Sequence, residues 1–88
     1  MNDSVRNNRL AIRRLVASAG GANPRIHQGL PGRAVEILID PRPGIAVAGL
    51  QKLQNDLEEI LGATVVVMTP GDLSARTRAF ALKNAQPI

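Results

Sequence analysis

The spacing of apolar positions changes along the chain, and each change marks an element. From Asp3 to Ala19, Val5, Ile12, Leu15, Val16 and Ala19 recur at helical intervals, which predicts a first helix. Asn2, Asp3 and Ser4 are candidate N-caps, and Gly20-Gly21 ends the run because glycine readily adopts the conformation that closes a helix. Pro24-Arg25-Ile26-His27-Gln28 predicts a short strand, and Gly29-Leu30-Pro31-Gly32 a tight turn. Val35-Glu36-Ile37-Leu38-Ile39 is rich in β-branched residues and predicts a second strand. It stops at Asp40-Pro41-Arg42-Pro43-Gly44, where proline cannot donate to a ladder. From Ala46 to Leu61, Val47, Leu50, Leu53, Leu57, Ile60 and Leu61 line one side of a second helix, with Gly62 placed to end it.

Thr64-Val65-Val66-Val67-Met68 has no polar alternation, as in a strand covered on both faces, so it is expected at the centre of the sheet. On that expectation an aspartate at Val66 costs a few kcal/mol, because a charge would lose its water without a partner. Thr69-Pro70-Gly71-Asp72 is a turn, Ser74 can cap a helix over Ala75 to Asn84, and Pro87 ends it. The order α-β-β-α-β-α predicts an α/β (α+β) domain, a small mixed sheet of about three strands with helices packed on it.

Composition narrows what such a domain can do. Eighty-eight residues leave room for one domain, spanning 1–88. The absence of cysteine removes disulfides, thiolate zinc sites and thiol nucleophiles, and a lone His27 cannot form a histidine metal cluster. By spacing, His27 has neither a nucleophile nor an orienting acid, so a structural role is expected. Phe80 is the one aromatic residue among Phe, Tyr and Trp, so stacking platforms for single-stranded nucleic acid cannot be built. The polar start MNDSVRNNRL lacks the apolar core of a signal peptide, and a soluble, cytoplasmic chain with no membrane partner is expected.

The formal net charge is +4, unevenly placed. Residues 1–33 set Arg6, Arg9, Arg13, Arg14, Arg25 and Arg33 against Asp3, whereas residues 34–63 set Arg42 and Lys52 against five carboxylates. The first helix thus turns Arg6, Arg9, Arg13 and Arg14 outward as candidate partner-binding residues, its simplest reading being a solvated face. Nucleic acid would meet phosphate-seeking arginines but no recognition helix, so weak, non-specific binding that fades with salt is expected.

Several segments resemble the minimal nucleotidyltransferase family, the small DNA polymerase β-like domains that accompany HEPN-type toxins. They are the strand ending Leu38-Ile39-Asp40-Pro41, the helix from Leu50 to Gly62, the strand closing in Met68-Thr69-Pro70-Gly71-Asp72-Leu73, and the final helix ending Ala85-Gln86-Pro87-Ile88. Upstream, Leu10 to Val16 and Asn23-Pro24-Arg25-Ile26 fit the family's first helix and strand. The resemblance implies a nucleotidyltransferase-like fold and a site of known form. A Gly-Ser turn holds the triphosphate, and an Asp-x-Asp pair with a third Asp holds two divalent metals, hard cations that demand carboxylate oxygens.

Carried over from Asp40, the paired aspartates fall on Ala34 and Glu36, and the third falls on Val66. The Gly-Ser pair falls on Gln28-Gly29 or on Gly29-Leu30, neither with a serine. Gly29, Gly32 and Arg33 are then relict nucleotide-binding candidates, and Glu36 and Asp40 relict metal candidates, each with a plainer reading as turn or sheet-surface residues. What the resemblance implies is a catalytically degraded binding domain without a cofactor, antitoxin-like, that pairs with a HEPN-type toxin or a second copy. The alternatives are an active enzyme transferring a nucleotide from ATP with Mg²⁺, and a basic DNA-binding regulator.

Overall fold

The structure, a computed structural model, describes residues 3–27, 34–45 and 47–88. The predicted first helix is two helices, α1 (Asp3–Asn7) and α2 (Arg9–Ser18), because Asn8 sits at φ −110°, ψ 17° between them. Its side-chain Nδ2 donates to the Ser4 carbonyl oxygen at 2.7 Å, beside its own backbone N–H at 3.1 Å, so Asn8 closes α1 with both groups on one acceptor. The break leaves the apolar face in phase, so Val5, Ile12 and Val16 are all fully buried.

The chain continues through β1 (Gly21–His27), β2 (Val35–Pro41), α3 (Val47–Leu61), β3 (Val65–Met68), a 3-10 turn at Pro70–Asp72, α4 (Ala75–Asn84) and β4 (Gln86–Pro87). The sheet has four strands, ordered β3-β2-β1-β4, where the sequence predicts about three. β1 starts three residues before the expected Pro24, directly after the glycine turn, and β2 runs on through Pro41. The helix α4 ends at Asn84, and Pro87 belongs to a two-residue edge strand, the kind of position that tolerates a missing N–H. β1 pairs antiparallel with β2 and β4, and β2 runs parallel to β3 through the α3 crossover.

One expectation is overturned: β3 lies at the edge of the sheet, and Val66 is 37% exposed. The unalternating valines predict burial on both faces, but of the three only Val65 is fully buried and Val67 is half-buried. A different device protects this strand. The backbone N–H groups of Val65 and Val67 donate to Glu58 Oε2 (3.1 Å) and Gln54 Oε1 (3.3 Å) of α3. Amides that would otherwise template a further strand are thereby occupied by side chains.

The core lies between one face of the sheet and the helices. Ile12 and Val16 of α2 and Leu53, Leu57 and Leu61 of α3 meet Ile26, Ile37, Ile39 and Val65. At Gly21, a Cβ would come within 2.9 Å of Ile39 Cδ1 and 3.0 Å of Val16 Cγ1, so the start of β1 presses against the core with no space for a side chain. Gly62, at φ +63°, closes α3 as the sequence predicts, and Ser74 Oγ accepts from the Thr77 N–H at 3.3 Å to cap α4. Among the described residues no helix is long and apolar enough to cross a membrane.

Candidate functional site

Side chains alternate across a strand, so the residues beside the core positions form the opposite face of the sheet. Registered pairs place His27 beside Glu36, Glu36 beside Val66, Arg25 beside Leu38, and Leu38 beside Met68 on that face. Leu38 is fully buried there, and α4 lies over the same side, with the Phe80 ring meeting His27 edge-on at 6.1 Å between centroids.

Two polar pairs stand on this face. His27 Nδ1 lies 2.9 Å from Glu36 Oε2, the side chains being 20% and 33% exposed. The carboxylate fixes the orientation of the imidazole and leaves the other ring nitrogen directed elsewhere. The orienting acid that spacing alone did not reveal is therefore Glu36. Nine residues separate the two, and only the β1–β2 register brings them together.

Further along β2, both oxygens of Asp40 are engaged. Arg25 Nη2 donates to Oδ1 at 2.8 Å and Nη1 to Oδ2 at 3.3 Å, and Asn23 Nδ2 donates to Oδ2 at 3.0 Å. The Arg25 hydrogen bonds, then that of Asn23, hold the Asp40 carboxyl below its ordinary 3.8. Asn23 reaches this position from a left-handed backbone at φ 50°, where β1 shifts register. Asp40 is thus a structural brace between β1 and β2.

The fit of a two-metal centre can be judged from these donors. Glu36 and Asp40 are four residues apart on one strand, about 13 Å, too far to share a cation. Positions 34 and 66 carry Ala and Val, neither of which offers an oxygen ligand from its side chain. Among the described residues no three His, Cys, Asp or Glu side chains form a group able to hold a metal ion. The two-metal set implied by the resemblance does not fit the described residues. Gly29, Gly32 and Arg33, the relict nucleotide-binding candidates, lie outside the described residues.

Of the first-helix arginines, Arg6, Arg9, Arg13 and Arg14 are all exposed, Arg6 on α1 and the others on α2. Arg13 Nε donates to the Ile88 carbonyl oxygen at 2.7 Å, holding the residue after β4 against α2. A surface groove of about 590 Å³ opens there, lined in part by Arg13, Arg25 and Arg42 but not by His27 or Glu36. Two of its three guanidinium groups are already committed, to Ile88 and to Asp40.

No protein-family model matches the chain, and no curated protein matches it. Among solved structures, the chain is similar to one described as "Structure of putative minimal nucleotidyltransferase", with a TM-score of 0.86 over 98% of this chain and 94% of that one, at 23% identity. A likeness across nearly the whole of both chains covers the order of elements and the mixed sheet alike. The chain has the minimal-nucleotidyltransferase fold.

Proposed function

We propose that this domain holds a partner rather than transferring nucleotide: a nucleotidyltransferase-like domain with degraded catalytic motifs, acting as an antitoxin-like companion of a HEPN-type toxin. The observation that carries the reading is the neighbourhood of Glu36. The carboxylate best placed to serve a metal is turned to His27 at 2.9 Å, and its registered neighbour on β3 is Val66. A side chain committed to an imidazole and flanked by an isopropyl group offers a divalent cation one ligand at most, where two-metal phosphoryl transfer needs several shared oxygens. The active-enzyme alternative relies on Asp40 as well, and Asp40 is held by Arg25 and Asn23.

The test incubates the pure chain, and the chain with a co-expressed HEPN-type protein, with labelled ATP and Mg²⁺ or Mn²⁺. The expected result is no label on either protein, together with co-purification of the pair. Transfer that disappears in Glu36→Ala or Asp40→Ala would overturn the reading in favour of the enzyme.

A further inference from the structure

The helix α2 buries Ile12 and Val16 against the sheet and turns a surface of a single sign to solvent. At 100° per residue, Arg9, Arg13, Ala17, Leu10 and Arg14 fall within an arc of about 140°, with Ala17 and Leu10 in the middle and the arginines on either side. Leu10 is 67% exposed, the most exposed of the large apolar side chains described. Arg6 extends the charge back onto α1, and among the described residues none of Arg6, Arg9 and Arg14 has a carboxylate partner.

This pattern differs from an ordinary solvated face in two respects. A solvated surface mixes both signs and favours lysine, whereas α2 carries three arginines with neither a carboxylate nor a lysine, and α1 adds Arg6 beside the single acid Asp3. Arginine enrichment and lysine depletion are the composition of protein interfaces, where the planar guanidinium meets a carboxylate with two parallel hydrogen bonds. A leucine standing at the centre also argues against a phosphate backbone, which has no apolar group to meet it.

We infer that the outer face of α2 is a docking surface for an acidic amphipathic helix of a partner protein, whose apolar stripe covers Leu10 and whose flanking carboxylates meet Arg9 on one side and Arg14 on the other, Arg13 being engaged by Ile88. A second copy of the chain is a poorer occupant. Its acidic helix α3 has Asp56 paired to Lys52 and Glu58 engaged by Val65, leaving Glu59 beside Ile60. The inference rests on the reading that the domain works by holding a partner, but it concerns the opposite side of the sheet from His27 and Glu36.

The probe is a synthetic helical peptide with leucine at one-turn intervals and glutamate on both flanks, compared with a scrambled peptide of the same composition and with short duplex DNA. Binding is followed by fluorescence anisotropy and by amide chemical shifts of the full chain. The ordered peptide should bind best, shifting amides from Arg9 to Ala17. Leu10→Ala should weaken binding about tenfold, and Arg9→Glu with Arg14→Glu should abolish it, with the melting temperature unchanged in each.

Equal binding of the scrambled peptide, no binding, or tight DNA binding indifferent to Leu10→Ala would overturn the inference. So would concentration-dependent dimerisation of the chain that Leu10→Ala abolishes. Nucleotide transfer by a chain that still binds the peptide would overturn the proposed function and leave this surface standing, whereas a chain that neither transfers nor binds would do the reverse.

Discussion

Arg25 of β1 grips Asp40 of β2 with a forked pair of hydrogen bonds, at 2.8 and 3.3 Å, across a point where the two strands slip out of register. The pair fixes the far end of the hairpin at the place where the bulge weakens the ladder. Because Asp40 is 40% exposed, solvent screening keeps the contribution below about 1 kcal/mol. Its carboxyl is held under the ordinary 3.8, so the stability it adds is complete above that value and disappears as pH falls through the lowered one. Asp40→Asn should therefore unfold at lower urea concentration than wild type at about pH 7, and the two curves should converge near about pH 2. Parallel curves across that range would show that the pair contributes nothing.

Gly21→Ala tests how closely β1 is pressed into the core. The new methyl would stand 2.9 Å from Ile39 Cδ1 and 3.0 Å from Val16 Cγ1, both side chains that are themselves fully buried. Overpacking of this kind costs about 1–3 kcal/mol, and a domain of this size loses about 4–8 °C in melting temperature per kcal/mol. A variant melting within a degree or so of wild type would mean that the strand start can move away freely.

Val66→Asp should be tolerated far better than the sequence alone suggests. The position is 37% exposed on an edge strand, so the carboxylate keeps much of its water and the cost should be about 1 kcal/mol. What it gains is Glu36 as a registered neighbour of like charge. Melts with and without millimolar Mg²⁺ should show a small destabilisation that the cation partly relieves, since the new pair gives a divalent ion two carboxylates. A loss of several kcal/mol would restore the picture of a strand covered on both faces.

Removing the side chains that occupy the β3 edge should change association more than stability. In the double variant Gln54→Ala, Glu58→Ala the N–H groups of Val65 and Val67 lose acceptors at 3.1 and 3.3 Å. Each loss costs about 1 kcal/mol, since the freed amides can turn to water, but the edge then presents two donors to any neighbouring strand. Light scattering should report concentration-dependent association that Glu58→Gln, which keeps an acceptor, does not show. A double variant that stays as monodisperse as wild type would assign the protection elsewhere.

The elements themselves were legible in the sequence because each rests on a local signal. The stripe through Leu53 and Leu57 faces the core, Gly62 closes its helix, and Ser74 opens the next. What escaped are features decided by neighbours distant along the chain. Val65-Val66-Val67 reads the same whether a strand is central or at an edge, and only α3 side chains reaching the Val65 and Val67 amides distinguish the two. Asn8 looks like an ordinary helix position in the sequence, and only its backbone at φ −110°, ψ 17° divides α1 from α2. β4 is too short to carry any periodicity, and it exists because β1 offers Arg25 and Ile26 as partners. His27 and Glu36 gain each other through hairpin register, and Leu10 falls off the buried face of its helix, where local periodicity does not tell an exposed leucine from any other surface position.

The occupied edge of β3 also bears on the order of events as the protein folds. Glu58 lies seven residues from Val65 and Gln54 thirteen from Val67, so both contacts close short loops and form on the timescale of local structure. The parallel pairing of β3 with β2 must wait for the whole α3 crossover to be in place. The two bonds therefore shield the outer amides of the strand before its inner amides find their partner, and the stretch of valines most prone to intermolecular pairing is not left bare on both sides while the slower step is completed.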